Sequence, residues 1–569
     1  MTQPATYLPS VVFLVFRRLR APLIVLIIVY AISILGFTLV PGQDDQGNEW
    51  QMDFFHATYF VSYMGSTIGF GELPYPFTGA QRLWTLFTIY ATVFAWLYAI
   101  GTLISLMQDR ALQTAIGRIR SQSQIRRLKE PFYLICGYGD VGRLITRLLA
   151  ETGIRTVVIE ENEQSLNRLK LEDISFTVPA FCADATIAEN LLLGGLMHQL
   201  CRGVIAVTGD EQENLKIAIA SKLLNPQLPL ICRTITDDTA ANMHSFGTDH
   251  IVNPFNTFAW HFGLAFSSPG LHLLNDWLSK TEYQKLNEPV FPPKGRWILC
   301  GYGKFGKVME KHLVRQGNTV TIIDINPTLS GAPADSIIGR GTEAETLHQA
   351  SVNEAVGVIA GTDHDANNLS IVVTAKELNK QLFCVARQNL NHNNALFDAA
   401  NINMVLNQNR VIASRVISLL TTQLTTDFLR MANEQSAQWS NILISRIAGV
   451  VDSTAPSTWV MKIGPADMPA VLDALNSAQV VKIKHLLAQP SNRKNSVDSI
   501  VLMLRRGKSN SIIPDPNTAL KPGDQILFCG DKEAKSTISR STGNQNLMNY
   551  ILTGTNRPVG TFWKWVSKT

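Results

Sequence analysis

Charge is scarce in this 569-residue chain: 17% of residues are Asp, Glu, Lys or Arg, and two stretches, residues 21–43 and 83–108, contain none at all. The net charge of +5 is small for the length and argues against a nucleic-acid partner. Cysteine is sparse too. Cys136, Cys182, Cys201, Cys232, Cys300, Cys384 and Cys529 are dispersed, without a CxxC pair or metal-ligand spacing, which excludes a disulfide framework and fits a reducing compartment. No flavin signature, separate substrate domain or catalytic His/Lys/Tyr set accompanies the motifs below. The chain is too long for one hydrophobic core, so three or four domains are expected.

The two uncharged stretches explain where the apolar residues went. Residues 23–40 are nearly all apolar, and eighteen residues at about 1.5 Å rise span roughly 27 Å, close to a bilayer core. Residues 83–108 are long enough to cross with some tilt. A cleaved signal peptide is disfavoured for the first run, because it lacks a small-residue cleavage site and a second span follows. Arg17, Arg18 and Arg20 precede the first span, and Arg110, Arg118, Arg120, Arg126, Arg127 and Lys129 follow the second. Asp44, Asp45, Glu49, Asp53 and Glu72 lie between them, with Arg82 the only base. The positive-inside rule places both termini in the cytoplasm and the acidic loop outside, where it concentrates cations.

Between the spans, residues 53–66 are moderately apolar and too short to cross, with Asp53 suited to cap a helix. They lead into Thr67-Ile68-Gly69-Phe70-Gly71-Glu72. Non-helical backbone at membrane depth is tolerated only where it is buried in protein or lines water. Alternate glycines let successive carbonyls face one way, and such carbonyls with the Thr67 hydroxyl replace the hydration shell of a potassium ion. These residues resemble the potassium-channel signature Thr-Val-Gly-Tyr-Gly, with Ile68 for Val and Phe70 for Tyr. The resemblance implies that Thr67, Ile68, Gly69, Phe70 and Gly71 form a selectivity filter that coordinates potassium through Thr67 to Phe70. Phe70 lacks the phenol hydroxyl that usually braces the filter, so selectivity with altered filter stability is expected. One subunit supplies one filter strand, hence a homotetramer. In the second span Gly101 serves either as a gating hinge or as a close-packing site.

After a basic connector the pattern alternates between strand and helix. A short apolar run, residues 132–136, meets Gly137-Tyr138-Gly139-Asp140-Val141-Gly142, then a helical stretch, then a second strand ending at Glu160. That is the dinucleotide fingerprint in its required context, with phosphate at the helix N-terminus and the acid on ribose. The unit recurs as Gly301-Tyr302-Gly303-Lys304-Phe305-Gly306 and Asp324; 301 − 137 and 324 − 160 both equal 164. Arg233 and Arg387 (154 apart), Thr186 and Thr342, and Asp210 and Asp363 extend the repeat. The copies differ: Asp184 lies opposite Arg340, and Asp140 opposite Lys304. The second copy is therefore more phosphate-friendly and the first more acidic, which suggests different ligands for the two.

Both copies resemble the RCK domain (TrkA-N), over about residues 131–435. The resemblance implies a Rossmann-like fold, paired domains, and eight of them in a gating ring under the pore. It further implies NAD, ADP or ATP as gating ligand, and calcium or another divalent cation as a further one. Asp237, Asp238 and Asp249 are the acidic candidates, although a solvated turn is the favoured reading of them. Residues 253–285 and 407–431 resemble the helical dimerisation elements of the family. Residues from 441 to about 537 resemble a TrkA-C subdomain, and the tail beyond Arg540 is expected to be mobile apart from a docking segment around Trp563 and Trp565.

The expected fold is thus a membrane α-helical pore domain of two spans and a pore helix, then tandem α/β Rossmann-like RCK domains and a small α+β C-terminal subdomain. The expected boundaries are 1–107 for the pore, 108–130 for the connector, 131–290 and 291–435 for the RCK domains, 436–540 for the TrkA-C-like subdomain and 541–569 for the tail. The function expected is a potassium-selective channel of the plasma membrane, in a lipid bilayer, gated by cytoplasmic ligands and without catalysis. A membrane-bound NAD-dependent oxidoreductase is the alternative. A cytoplasmic regulatory subunit of a transporter is disfavoured by the attached spans.

Overall fold

The computed structural model describes residues 8–279, 288–421, 423–451 and 455–555. The segment around Trp563 and Trp565, and the end of the first dimerisation tail near Lys285, lie outside those residues. The chain divides into two compact units, essentially residues 1–129 and 130–569.

In the first unit, α1 (Leu8–Leu39) and α3 (Gly79–Met107) are the long helices, and α2 (Phe54–Gly65) lies between them in sequence. Val15–Leu39 and Gly79–Met107 are long and apolar enough to cross a membrane. Helix is the conformation such segments require, because the hydrocarbon core offers the backbone no other hydrogen-bond partner. Leu23, Ile27, Leu83, Phe94 and Leu97 face outward. A short antiparallel hairpin, β1 (Gly42–Gln43) and β2 (Glu49–Trp50), follows α1; the Asp44 carboxylate closes its turn by accepting from the amides of Gln46 and Asn48 at 2.9 and 2.8 Å. A fourth helix, α4 (Arg110–Arg126), forms most of the basic connector.

The three apolar helices are pinned by aromatics. Phe37 of α1 is fully buried and meets Phe60 of α2 edge-on at 4.9 Å and Phe77 at 5.8 Å. The Trp84 indole donates to the Ser33 carbonyl at 3.1 Å, and that approach requires glycine at 36, where a Cβ would lie 2.0 Å from the Trp84 ring. Asp53 caps α2 by accepting from the His56 amide at 2.8 Å, fixing where the helix begins and so where its C-terminal end delivers the chain.

In the second unit the strands β3 (Phe132–Cys136), β4 (Arg155–Glu160), β5 (Ala180–Cys182), β6 (Cys201–Ala206), β7 (Leu230–Arg233) and β8 (His250–Val252) form a sheet in the order β5-β4-β3-β6-β7-β8. The strands β9 (Arg296–Cys300), β10 (Thr319–Asp324), β11 (Ile337–Ile338), β12 (Gly357–Ala360), β13 (Phe383–Gln388) and β14 (Met404–Asn407) repeat it as β11-β10-β9-β12-β13-β14. Every recorded pairing in the two sheets is parallel. This is the doubly wound order, and its switch points fall between β3 and β6 and between β9 and β12. The near-continuous apolar strands (Val157, Val158 and Ile159; Ile298 and Leu299) suit sheets covered on both faces.

The two cores exchange helices. After β8, the helix Pro254–Ser267 packs on the helix Lys304–Arg315 of the second core; after β14, the helix Gln408–Thr421 packs on the helix Asp140–Glu151 of the first. Phe255, Phe258 and Phe262 are buried in this exchange against Trp297, Phe305 and Leu313. The joint is therefore a hydrophobic core, and both glycine-rich turns sit beside it.

The last sheet is antiparallel, from β15 (Ser457–Lys462), β16 (Ser499–Arg506), β17 (Ser509–Ile512) and β18 (Gln525–Gly530), in the order β15-β18-β16-β17. Here the sequence expectation needs correction. Residues 541–553 are not a tail but complete the helix Lys532–Gly543 and form the helix Gln545–Thr553, both packed on Pro469–Asn476. Asn544 caps the last helix through the amides of Asn546 and Leu547, and Met548 and Ile551 are buried. A polar composition concealed an amphipathic helix.

Candidate functional site

The filter segment begins where α2 ends. Thr67, Gly69 and Gly71 have φ of 61°, 64° and 74°, while Ile68 and Phe70 between them do not enter the positive-φ region. Alternation of this kind is what allows successive carbonyls to face one side, the arrangement a dehydrated cation needs. Glycine adopts it without strain at two of the three positions. The amides of Ile68 and Gly69 donate to the Tyr63 carbonyl at 3.0 and 3.3 Å, tying the segment to the end of α2.

Sequence reasoning overlooked two tyrosines of α2. The Tyr59 hydroxyl donates to the Glu72 carboxylate at 2.9 Å, and the Tyr63 hydroxyl to the Glu72 carbonyl at 3.1 Å. Their spacing of four on one helix face was the available signal. They tie Glu72, at the far end of the segment, to α2, a role the Phe70 ring, exposed and 6.2 Å from the Tyr63 ring, cannot fill by hydrogen bonding. Each bond is worth about 1 kcal/mol per subunit. The double change Tyr59→Phe and Tyr63→Phe is expected to cut potassium-over-sodium selectivity by on the order of tenfold with unchanged protein yield, read as ion flux into liposomes. Gly101 lies within α3, and among the described residues beyond its own helix turn nothing comes within 4 Å of a Cβ placed there.

The two glycine-rich turns are built alike. Gly137 and Gly301 have φ of 98° and 94° and make the turn from strand to helix. A Cβ at Gly142 would lie 2.0 Å from the Gly137 carbonyl oxygen, and one at Gly306 2.1 Å from that of Gly301, so these glycines admit the helix against the turn. At Gly139 and Gly303, by contrast, a Cβ would meet nothing within 4 Å. These middle positions leave an open cradle at the start of the helices Asp140–Glu151 and Lys304–Arg315, whose first amides have no partner within the helix. The residues present fit a phosphate group there, because a side chain would fill the space that backbone leaves free. Gly306→Ala is expected to lower stability by about 3 kcal/mol or more, since the clash is with backbone, and thermal unfolding of the full chain reads it.

The acids fall where the spacing indicates. Asp324 accepts from the amides of Tyr302 at 2.7 Å and Asn326 at 2.9 Å; Glu160 accepts from those of Tyr138 and Asn162. Each thereby steadies its glycine turn from the end of the second strand. Val141 and Phe305 are buried beneath the turns. Asp184 accepts from the Thr186 amide at 2.7 Å, Asp140 is exposed, and Arg340 is exposed with no partner among the described residues.

Lys304 departs from expectation. Its ammonium lies 3.2 Å from Glu211 of the first core, so the charge assigned to phosphate is engaged across the joint. Burial would raise the Glu211 carboxyl, but donation from the Ile235 amide, Thr234, Lys304 and Thr236 outweighs it and brings it down to about 2. In the second core Asp365 takes the equivalent place, bound by Asn389, Leu390 and Asn393. Asn214 and Asn368 form matching staples from the loop after the fourth strand to the end of the fifth, accepting from Thr208 and Thr362 and donating to the carbonyls of Arg233 and Arg387. Both pairs obey the offset of 154 seen for the arginines, and so were within reach of the sequence.

The proposed cation acids do not converge. Asp249 accepts from Lys222 at 2.7 Å and from the Leu230 amide, and Asp237 from Asn256. Among the described residues no three His, Cys, Asp or Glu side chains gather.

Comparison with known proteins agrees with this geometry. Residues 24–109 match the ion-channel family, and residues 133–254 and 297–408 each match the TrkA-N domain. The chain thus defines itself as a membrane protein that joins an ion-channel pore to two TrkA-N domains. Potassium channel protein 1 of Methanocaldococcus jannaschii is 23% identical over 57% of this chain and 92% of its own length. Probable potassium channel protein 2 of the same organism is 26% identical over 44% of this chain and 67% of its own. The solved GsuK channel bound to NAD aligns over 94% of this chain and 100% of that one, with 14% identity and a TM-score of 0.44. The chain thus carries an ion-channel match followed by two TrkA-N matches, and the relatives named here, at 23 and 26% identity, are potassium channel proteins.

Proposed function

We propose that four copies of this chain surround one pore, that the carbonyls of residues 67–70 select potassium, and that an adenine nucleotide at the glycine cradles gates it. The observation that carries the pore is the alternation of φ at Thr67, Gly69 and Gly71. For the ligand it is the open space at Gly139 and Gly303 above a helix N-terminus, with Glu160 and Asp324 at the ends of the neighbouring strands. NAD suits both cradles. ADP or ATP suits the second better, where Lys304 and Arg340 replace Asp140 and Asp184.

Gating follows from linkage. Eight TrkA-N domains per tetramer form a ring, and nucleotide changes the angle between paired cores. The connector, residues 108–130, then acts on the inner end of the second span, with Gly101 as the bending point. A ligand opens the pore only by binding the open ring more tightly than the closed one. The basic flanks orient both termini and the ring toward the cytoplasm of the plasma membrane. The oxidoreductase alternative is not favoured, since the relatives are potassium channels. Among the described residues no group of acids offers a divalent cation a site.

Two measurements test the reading. Mass photometry of the detergent-solubilised protein is expected to give four chains per particle; a monomer or dimer contradicts it. Incubation with NADH or ATP is expected to return the nucleotide unchanged, and steady turnover would move the protein to the enzyme reading.

A further inference from the structure

The two cores are alike in backbone but differ in what holds the first residue of the helix after each glycine turn. In the second core that residue is Lys304, bonded to Glu211 of the first core at 3.2 Å. The counterparts on the other side of the joint are Asp140 (304 − 164) and Asp365 (365 − 211 = 154), two acids that cannot pair. The cross-core ion pair therefore exists on one side only.

We propose that Glu211, from the first core, sets the phosphate affinity of the second core's glycine cradle by holding Lys304, which phosphate recruits when nucleotide binds. This rests on the nucleotide reading given above and names the regulation of that site. The geometry says which partner moves. The Glu211 side chain is 12% exposed and is anchored through Thr234, the Ile235 amide and both the amide and hydroxyl of Thr236. Lys304 is 53% exposed on a flexible four-carbon stem and has no other partner among the described residues. It stands directly beside Gly303, where the cradle is open. Phosphate and Glu211 compete for one ammonium, so nucleotide binding loosens the cross-core contact and the contact weakens binding by the same factor. At neutral pH the Glu211 carboxylate stays ionised, so the competition is present throughout the physiological range. Glu211 acts here as a positioning residue, through Lys304.

The test is ADP titration by calorimetry on the full-length tetramer carrying Gly139→Val, which leaves the second cradle as the site. Against this parent, Glu211→Gln is expected to tighten ADP about two- to fivefold, the range for a partly exposed ion pair, and to leave adenosine unchanged. Lys304→Gln is expected to weaken ADP, and adding Glu211→Gln to it should change nothing further. A merely structural role for Glu211 would not tighten binding, nor separate ADP from adenosine. Glu211→Asp, which keeps the charge and shortens the reach, serves in its place if the glutamine variant does not fold, with tightening again expected. ADP binding to the parent that no variant shifts overturns this inference alone. No ADP binding to the parent overturns the nucleotide reading of the second cradle and this inference with it.

Discussion

Gly69→Ala abolishes potassium-selective flux in a protein that otherwise folds and assembles normally. Gly69 has φ of 64°, where an L-residue costs about 1–2 kcal/mol. A tetrameric pore carries four copies, so the strain reaches roughly 4–8 kcal/mol per filter, enough to depopulate the conducting backbone by about a thousandfold or more. Relief comes by rotating the peptide, which takes a carbonyl off the ion path. Among the described residues beyond its chain neighbours nothing lies within 4 Å of the new Cβ, so the core of the pore unit is untouched. Gly79→Ala, at the first turn of α3 and without positive φ, is the matched control and is expected to conduct as before. Flux into potassium- and sodium-loaded liposomes reads both. Selective flux from the Gly69 variant would show that this backbone is not the filter.

Gly303→Val removes nucleotide binding at the second cradle, and Gly139→Val at the first, each by on the order of a hundredfold, because the side chain takes the place of the pyrophosphate. Both positions have extended backbone, with φ of −74° and −70°, which valine accepts without strain, and neither Cβ meets a neighbour. Melting temperature should therefore stay level while binding falls. That combination separates the middle glycines from Gly142 and Gly306, where even alanine strikes backbone. Calorimetry on the full-length protein with NAD and ADP checks the expectation and shows whether the two cradles prefer different ligands. Unchanged binding in the double variant would move the ligand site away from the glycine turns.

Much of this was legible because the chemistry sits in contiguous residues. The filter hexapeptide lies between two uncharged spans, and each glycine turn follows its strand and precedes its acid by a fixed distance. The twofold repeat shows in paired offsets, 164 at the turns and 154 at the arginines, and the second also relates Glu211 to Asp365 and Asn214 to Asn368. What stayed hidden depends on contacts across the chain. The exchange of Pro254–Ser267 and Gln408–Thr421 between cores is invisible to periodicity, since either helix would look the same packed at home. For that reason the sequence shows Lys304 only as a cation beside the glycine turn, and its bond to Glu211 appears only in three dimensions. The helix Gln545–Thr553 is concealed for a different reason: its composition is polar, and only Met548 and Ile551 at a spacing of three, after the Asn544 cap, mark an amphipathic turn.

The central claim joins a potassium filter to nucleotide-binding cores in one chain. It is tested most directly by reconstituting the purified protein in liposomes and measuring potassium-driven flux with and without NAD, ADP or ATP. Potassium-selective flux that changes with a nucleotide, and loses that response in the Gly139→Val, Gly303→Val double variant, is the expected result. Selective flux indifferent to every nucleotide would leave a channel whose cores do not gate it, and the absence of flux with nucleotide being consumed would contradict the channel itself.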